Sequence, residues 1–210
     1  MTNYLEKLMA DYPAISPLQA DIQKAADILI SCHQTGNKIF TCGNGGSAAD
    51  AEHMVGELMK GFRSKRALSS SQVREIAKTY PDEASEIARN LQQAIPAISL
   101  VSNISLSTAF SNDVNPEYVF AQQIFGLGRP GDVLVALSTS GNSKNVVQAA
   151  KVAKAMGIHV IGMTGQSGGE LQHHCVATIK APSSDTARIQ ELQLPIYHCL
   201  CSMIEEAVFP

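Results

Sequence analysis

The sequence predicts an α/β fold in which helices cover both faces of a doubly wound, parallel β-sheet. Short, apolar, β-leaning stretches alternate with longer helical segments along the chain, which is the order that builds such a sheet. The stretch at residues 132–138 is almost entirely apolar, as expected of a strand buried on both faces. The chain's 210 residues suit one domain with a sizeable core. We therefore predict a single domain over residues 1–210.

The predicted elements follow one another in regular order. A helix over residues 16–35 ends at Gly36. Further helices are predicted at residues 48–60, 144–156 and 185–208, and the polar segment 64–93 holds two shorter ones, at about 69–78 and 81–93. The five predicted strands cover residues 38–42, 96–101, 132–138, 159–164 and 175–180. In such a sheet, ligands bind beyond the carboxyl ends of the strands.

Composition excludes several classes of protein. The net charge of −3 is spread along the chain, which argues against a nucleic-acid-binding protein. No apolar run approaches the roughly 18 residues of a membrane span, and the first residues lack the apolar core of a signal peptide. The five cysteines form no C-x-x-C pair, which is typical of reduced thiols. We expect a cytoplasmic protein with no nucleic-acid or membrane partner.

The stretch TCGNGGSAADAEHMVGE, residues 41–57, is the first candidate site. Its glycines permit positive φ angles and close approach of a ligand to the backbone. Ser47 is the predicted N-cap of the following helix, whose free N–H groups favour an anion. His53 and Glu57 are four residues apart and share one face of that helix. The alternatives are a purely structural turn and an exposed salt link.

Two nucleotide-binding motifs are excluded. Gly43, Gly45 and Ala48 fit G-x-G-x-x-A, but the acidic residue expected about 20 positions later, at the end of the next strand, is missing. A nicotinamide cofactor is therefore not expected. The Walker pattern G-x-x-x-x-G-K-[ST] is also absent, so nucleotide hydrolysis has no support.

The stretch STSGNS, residues 138–143, is the second candidate site. It places four hydroxyl groups around Gly141 between a strand and a helix. Hydroxyl donors together with free helical N–H groups suit a phosphate, and no lysine is needed. The alternative is an ordinary serine-rich turn.

The last predicted helix carries Gln190 and His198. They are eight residues apart, about 12 Å along a straight helix, so both would have to stretch to reach one ligand. Either Pro195 bends the helix, or the two groups come from different subunits. From spacing alone, His198 is by default a core residue.

Five motifs taken together resemble the sugar isomerase (SIS) family, and specifically its phosphoheptose isomerase branch. They occur in the family's order and cover most of the chain outside residues 64–93. They are CGNGGSAADAEHMVGEL, SNDV, LSTSGNSKNVVQAAKVAKAMG, MTGQSGGEL and RIQELQLPIYHCLCSMIE.

The resemblance implies a single SIS domain, a five-stranded, flavodoxin-like three-layer sandwich. It also implies a homotetramer with active sites at the subunit contacts. The N-terminal helices of residues 1–35 are expected to pack on the core and in the oligomer. Positions matching the family's substrate-binding residues are Asn44, Gly45, Gly46, Ser47, Glu57, Asn112, Asp113, Ser138, Thr139, Ser140, Ser143 and Gln190. The implied metal ligands, for one zinc ion per subunit, are His53, Glu57, Gln190 and His198. The implied acid/base pair is Glu57 and His198.

The implied reaction converts sedoheptulose 7-phosphate to D-glycero-D-manno-heptose 7-phosphate for bacterial lipopolysaccharide or capsule synthesis. Such an aldose–ketose isomerisation moves a proton between neighbouring carbons through an enediol, which needs an acid and a base whose pKa is tuned upward. The chain departs from the family at Gly61, where many members carry Arg, and at Ala187, where an acidic residue is usual. The alternatives are a non-catalytic SIS protein that binds the replication initiator DnaA, and a sugar-phosphate sensor.

Overall fold

The computed structural model describes residues 3–209 and contains a five-stranded sheet. All neighbouring strands are parallel, in the order β2-β1-β3-β4-β5. The strands are β1 (Ile39–Cys42), β2 (Ala97–Ser99), β3 (Val133–Leu137), β4 (His159–Gly165) and β5 (Ala177–Ala181). The order 2-1-3-4-5 is that of flavodoxin-like sheets. The predicted fold class and all five predicted strands are confirmed, with ends that differ by one or two residues.

Nine α-helices accompany the sheet within residues 3–209. They are α1 (Tyr4–Asp11), α2 (Gln19–Gln34), α3 (Gly46–Met59), α4 (Ser70–Thr79), α5 (Ala84–Asn90), α6 (Ile104–Asp113), α7 (Val119–Leu127), α8 (Lys144–Ala155) and α9 (Thr186–Val208). Short 3₁₀ turns lie at Pro13–Leu18, Pro116–Tyr118 and Leu171–His174. Among the described residues, no helix combines the length and the apolarity needed to cross a membrane.

The sheet separates two hydrophobic cores, because successive strand residues point to opposite faces. Val133 and Val135 of β3 belong to the core formed with α1, α2, α3 and α9. Leu134 and Ala136 belong to the core on the other face, under α7 and α8. The β3 residues are all buried, as the apolar run predicted. The three-layer arrangement follows from these two cores.

Three local predictions needed correction. Ser47 is not the N-cap of α3: the helix begins one residue earlier, Gly45 occupies the cap position with φ +56°, and Ser47 lies buried in the first turn. The helix predicted over 16–35 begins at Gln19, because the preceding residues, which include Pro17, form a 3₁₀ turn. The helix predicted over 81–93 is limited to Ala84–Asn90.

The segment 64–93 forms a helical pair that lies largely outside the core. Ser69 and Gln72 form a reciprocal capping box at the start of α4, as the serine cluster predicted. Every α4 residue is at least partly exposed. The segment is nevertheless anchored at both ends, because the side chain of Arg66 near its start is buried and the Gln93 N–H at its end bonds the Arg66 carbonyl at 2.7 Å.

Candidate active site

The two candidate turns lie side by side at the carboxyl ends of β1 and β3. These neighbouring strands mark the point where the strand order reverses, which is the usual ligand site in open α/β sheets. Asn44 and Asn145 join the turns through two amide hydrogen bonds, of 2.8 and 2.9 Å. Sequence reasoning missed Asn145, since an Asn in the first turn of a helix gives no distinctive signal.

The glycine turn, residues 43–46, depends on the absence of side chains. A Cβ atom at Gly43 would lie 2.7 Å from the Ser47 carbonyl carbon. A Cβ at Gly46 would lie 2.5 Å from the Gln190 side-chain nitrogen, so Gln190 of α9 rests on the start of α3. The N-terminus of α3 has no side-chain cap, which leaves its N–H groups available to an anion.

The serine turn, residues 138–143, is held by its own hydrogen bonds. Ser138 Oγ donates to Ser143 Oγ at 3.0 Å, and the Asn142 N–H donates to Ser140 Oγ at 3.1 Å. Gly141 has φ +68° and packs against the backbone of Gly168. Ser143 occupies the cap position of α8 without making a side-chain capping bond. Hydroxyls and the N–H groups of the first turn of α8 therefore meet at this helix start, as a phosphate requires, and of these N–H groups that of Val146 bonds Asn145 Oδ1 at 3.0 Å.

Thr139 belongs to this turn, whereas Asn112 and Asp113 lie at the end of α6. The Thr139 carbonyl accepts the Gly165 N–H at 2.9 Å, which ties the turn to the end of β4. Asn112 and Asp113 are exposed in the last turn of α6 and hydrogen-bond each other at 2.8 Å. The chain after them returns to the start of α8, where Lys144 pairs with Glu117 at 2.6 Å.

The helices α3 and α9 lie side by side and run in the same direction. Gln190 lies beside Gly46, and seven residues further along each helix Tyr197 lies beside His53. Seven residues correspond to about 10 Å of helix. Within one subunit, Gln190 therefore lies beside the glycine turn, two helical turns before His53. The wide separation of Gln190 and His198 that their sequence spacing predicted remains, since α9 continues as one helix through Pro195.

Three of the predicted metal ligands do come together, two helical turns beyond the glycine turn. His53 Nε2 lies 3.2 Å from Glu57 Oε1, and the ring centres of His53 and His198 are 5.0 Å apart. Phe62 also packs against His198, with ring centres 5.5 Å apart. We call His53, Glu57 and His198 the histidine–glutamate cluster.

Two buried polar groups on α9 have no hydrogen-bond partner within the described chain. They are His198 Nε2 and the side-chain amide of Gln193, a residue that is 1% exposed. A buried polar atom without a partner costs about 1–3 kcal/mol, so each calls for a partner outside this chain. Burial, followed by the nearby His53, lowers the pKa of His198 below its usual value, which favours the neutral imidazole.

Glu57 has an environment that favours its charged form. Burial raises the pKa of its carboxyl group, but Lys60, whose Nζ lies 2.9 Å from Oε2, and His53 lower it more. The net shift is downward, opposite to the raised pKa that sequence reasoning expected of the base. The cause is Lys60, which stands one turn further along and approaches the carboxylate directly.

The cluster has the donor atoms that zinc prefers. Within residues 3–209, no ready-made group of three or more metal-ligating side chains is present. However, the 3.2 Å between His53 Nε2 and Glu57 Oε1 is close to the roughly 3.3 Å that separates two tetrahedral zinc ligands. The unpartnered His198 Nε2 adds a third donor. In donor chemistry these residues fit a zinc ion, whereas Gln190 is too far along α9 to join them in one subunit.

A family model described as the SIS domain matches residues 3–94 and 76–165 of this chain. The chain belongs to the SIS domain family. This SIS protein is 36% identical over 211 aligned residues to the phosphoheptose isomerase of Shewanella frigidimarina, covering 99% of this chain and 94% of that one. A solved phosphoheptose isomerase from Neisseria gonorrhoeae matches it with TM-score 0.75 and 33% identity, over 96% of this chain and 94% of that one. The Francisella tularensis enzyme matches with TM-score 0.73 and 29% identity, over 98% of this chain and all of the other.

Proposed function

We propose that this chain is a phosphoheptose isomerase that interconverts sedoheptulose 7-phosphate and D-glycero-D-manno-heptose 7-phosphate. The observation that carries the proposal is the histidine–glutamate cluster on α3 and α9, the same two helices whose earlier turns meet at the glycine turn. The full-length similarity to phosphoheptose isomerases supports the same reaction. A DnaA-binding scaffold has no need of such a cluster.

The sugar phosphate is proposed to bind across the two joined turns. The phosphate lies against Ser138, Thr139, Ser140 and Ser143 and the N–H groups at the start of α8, where hydroxyl and amide donors converge. The sugar hydroxyls then extend toward the remaining polar positions. We assign these contacts to Asn44, Gly45, Gly46, Ser47, Asn112, Asp113 and Gln190.

Glu57 and His198 are proposed as the acid/base pair. The Glu57 carboxylate is charged at neutral pH, because Lys60 stabilises that form, and it can take a proton from the carbon beside the carbonyl. The neutral His198 imidazole can pass a proton between the sugar oxygens. A zinc ion held by His53, Glu57 and His198 would polarise the carbonyl and stabilise negative charge on the enediol oxygens.

The proposal includes a homotetramer in the cytoplasm, with Gln190 completing the metal site of a neighbouring subunit. The separation of Gln190 from His198 within one chain supports shared sites. Large apolar side chains on α6 and α7 are also exposed, with Ile104 at 74% and Phe125 at 67%, which is typical of surfaces covered by a partner. A role in lipopolysaccharide or capsule synthesis is the corresponding pathway-level proposal.

The test is solvent deuterium incorporation into sedoheptulose 7-phosphate at the carbon beside the carbonyl. Glu57→Gln keeps the size of the side chain but removes the charge, so exchange is expected to slow by about 10²–10⁴, the usual contribution of a general base. Glu52→Gln is the matched control, because Glu52 is exposed on the same helix and hydrogen-bonds Ser102 at 2.8 Å. Exchange at the wild-type rate in Glu57→Gln would show that Glu57 is not the base.

A further inference from the structure

A buried tyrosine links two polar residues of α3. The Tyr197 hydroxyl lies 2.9 Å from His53 Nδ1 and 3.3 Å from Asp50 Oδ1. Tyr197 itself is fully buried on α9, and its ring packs edge-on against His53 with centres 5.5 Å apart. Sequence reasoning assigned no role to Tyr197 or Asp50.

If Asp50 is ionised and both contacts of the Tyr197 hydroxyl are hydrogen bonds, the donors and acceptors of this trio pair in one way. A carboxylate only accepts hydrogen bonds, and a phenol has a single proton to donate. Tyr197 then donates a hydrogen bond to Asp50, and its oxygen accepts a hydrogen bond from the Nδ1–H group of His53. A neutral His53 that carries its proton on Nδ1 has a free lone pair on Nε2. That lone pair lies 3.2 Å from Glu57 Oε1, which is also an acceptor.

We propose that Tyr197 and Asp50 are positioning residues that hold His53 as its Nδ1–H tautomer, with Nε2 directed toward Glu57 to receive a cation. The two acceptor atoms, His53 Nε2 and Glu57 Oε1, repel each other when nothing lies between them, and both are attracted to a positive ion placed between them. Ligating histidines commonly have their second nitrogen fixed by such an outer partner, which orients the ring. The inference deepens the proposed function, on which it rests for the identity of the cation as zinc.

The first experiment measures the tautomer in the metal-free protein. Long-range ¹H–¹⁵N correlation spectra are recorded on the full chain at a pH where imidazoles are neutral, with His53 assigned from His53→Asn. The wild type is expected to show Nδ1 protonated. In Tyr197→Phe the Nδ1 partner is lost, so the proton is expected to move to Nε2, where Glu57 Oε1 accepts it. Asp50→Asn replaces the carboxylate, which can only accept hydrogen bonds, by an amide, so His53 is expected to show a mixture of its two tautomers. This variant keeps the test available if Tyr197→Phe folds poorly.

Tyr80→Phe is the matched control, because Tyr80 is 54% exposed beyond the end of α4. It should leave the His53 spectrum unchanged. An unchanged tautomer in both Tyr197→Phe and Asp50→Asn, or a wild type protonated on Nε2, would overturn the positioning role.

The second experiment measures zinc affinity by competition with a chromophoric chelator. Loss of an outer-shell partner typically weakens metal binding about 10- to 100-fold, and that loss is expected for Tyr197→Phe but not for Tyr80→Phe. Equal affinity in wild type and Tyr197→Phe would overturn the link to the metal. The tautomer result does not depend on turnover, so a tautomer change in a protein that fails to isomerise heptose phosphate would support the positioning role and refute the proposed function alone.

Discussion

Replacement of Glu205 by Gln tests how the end of α3 is held in place. Glu205 of α9 is 2% exposed and accepts three hydrogen bonds, from the Phe62 and Arg63 N–H groups at 2.8 and 2.6 Å and from Arg66 Nε at 2.7 Å. Arg66 in turn donates to the Leu58 carbonyl at 2.6 Å and to the Glu57 carbonyl at 3.2 Å. This buried ion pair therefore fixes the helical turn that carries Glu57.

The expected loss of stability follows from the burial of both Glu205 and Arg66. Glu205→Gln keeps the shape but leaves a fully buried guanidinium without its counter-charge, which typically costs about 3–5 kcal/mol. For a domain of this size, 1 kcal/mol shifts the melting temperature by about 2–4 °C, so a fall of about 6–20 °C is expected. Denaturant unfolding and calorimetry measure it.

The stabilisation that Glu205 provides should depend on pH in one direction. Burial raises the pKa of Glu205, but the Phe62 and Arg63 N–H groups and Arg66 lower it more, so the net shift is downward. A carboxyl group with a depressed folded-state pKa stabilises the protein above its unfolded pKa and loses that effect as the pH falls through the folded value. The stability gap between wild type and Glu205→Gln should therefore be full at neutral pH and shrink in acid.

The control is the double variant Arg66→Met/Glu205→Gln. Because the partners are in direct contact, its loss of stability should be smaller than the sum of the two single losses. A loss below about 1 kcal/mol for Glu205→Gln at neutral pH, or strict additivity in the double variant, would refute the reasoning, since either result means that the charge is compensated elsewhere.

Three further predictions concern the turns and the assembly. Ser140→Ala and Ser143→Ala should each remove a hydrogen bond to phosphate worth about 1.5–3 kcal/mol, seen as a raised KM with kcat less affected; unchanged affinity for an inert sugar-phosphate analogue would place the phosphate elsewhere. Gly43→Ala should destabilise the fold by about 1–3 kcal/mol in denaturant unfolding, because its Cβ would meet the Ser47 backbone, and a wild-type midpoint would contradict that contact. Sedimentation at micromolar concentration should show a tetramer, and a monodisperse monomer would rule out shared active sites.

The strands and most helices were predictable because their signals are local. Apolar runs located all five strands, and the serine cluster located the capping box of α4 at Ser69. Ser47 misled the prediction because a good capping residue follows a glycine, and the positive φ of Gly45 allows the helix to start before it. Local residue propensity does not show at which of these two residues the helix begins.

The interior of the candidate site was less predictable because its contacts join distant parts of the chain. The spacing of His53 and Glu57 on one helix was visible in the sequence, whereas the pairing of Arg66 with Glu205 spans 139 residues. Tyr197 could have been suspected, since it stands seven residues after Gln190 and therefore on the same helical face. Its contact with His53 depends on how α9 packs against α3, which periodicity does not specify.

The parallel alignment of α3 and α9 has a consequence for which changes in chain length the protein can accept. Each residue of an α-helix turns the chain by about 100° and advances it by about 1.5 Å. Deleting one residue between Gln190 and Tyr197 would keep one contact with α3 but swing every later side chain, His198 among them, to another side of the helix. The exposed helical pair of 64–93 carries no such constraint between its anchored ends. Insertions and deletions that preserve function should therefore accumulate in that segment and be excluded from the two helices.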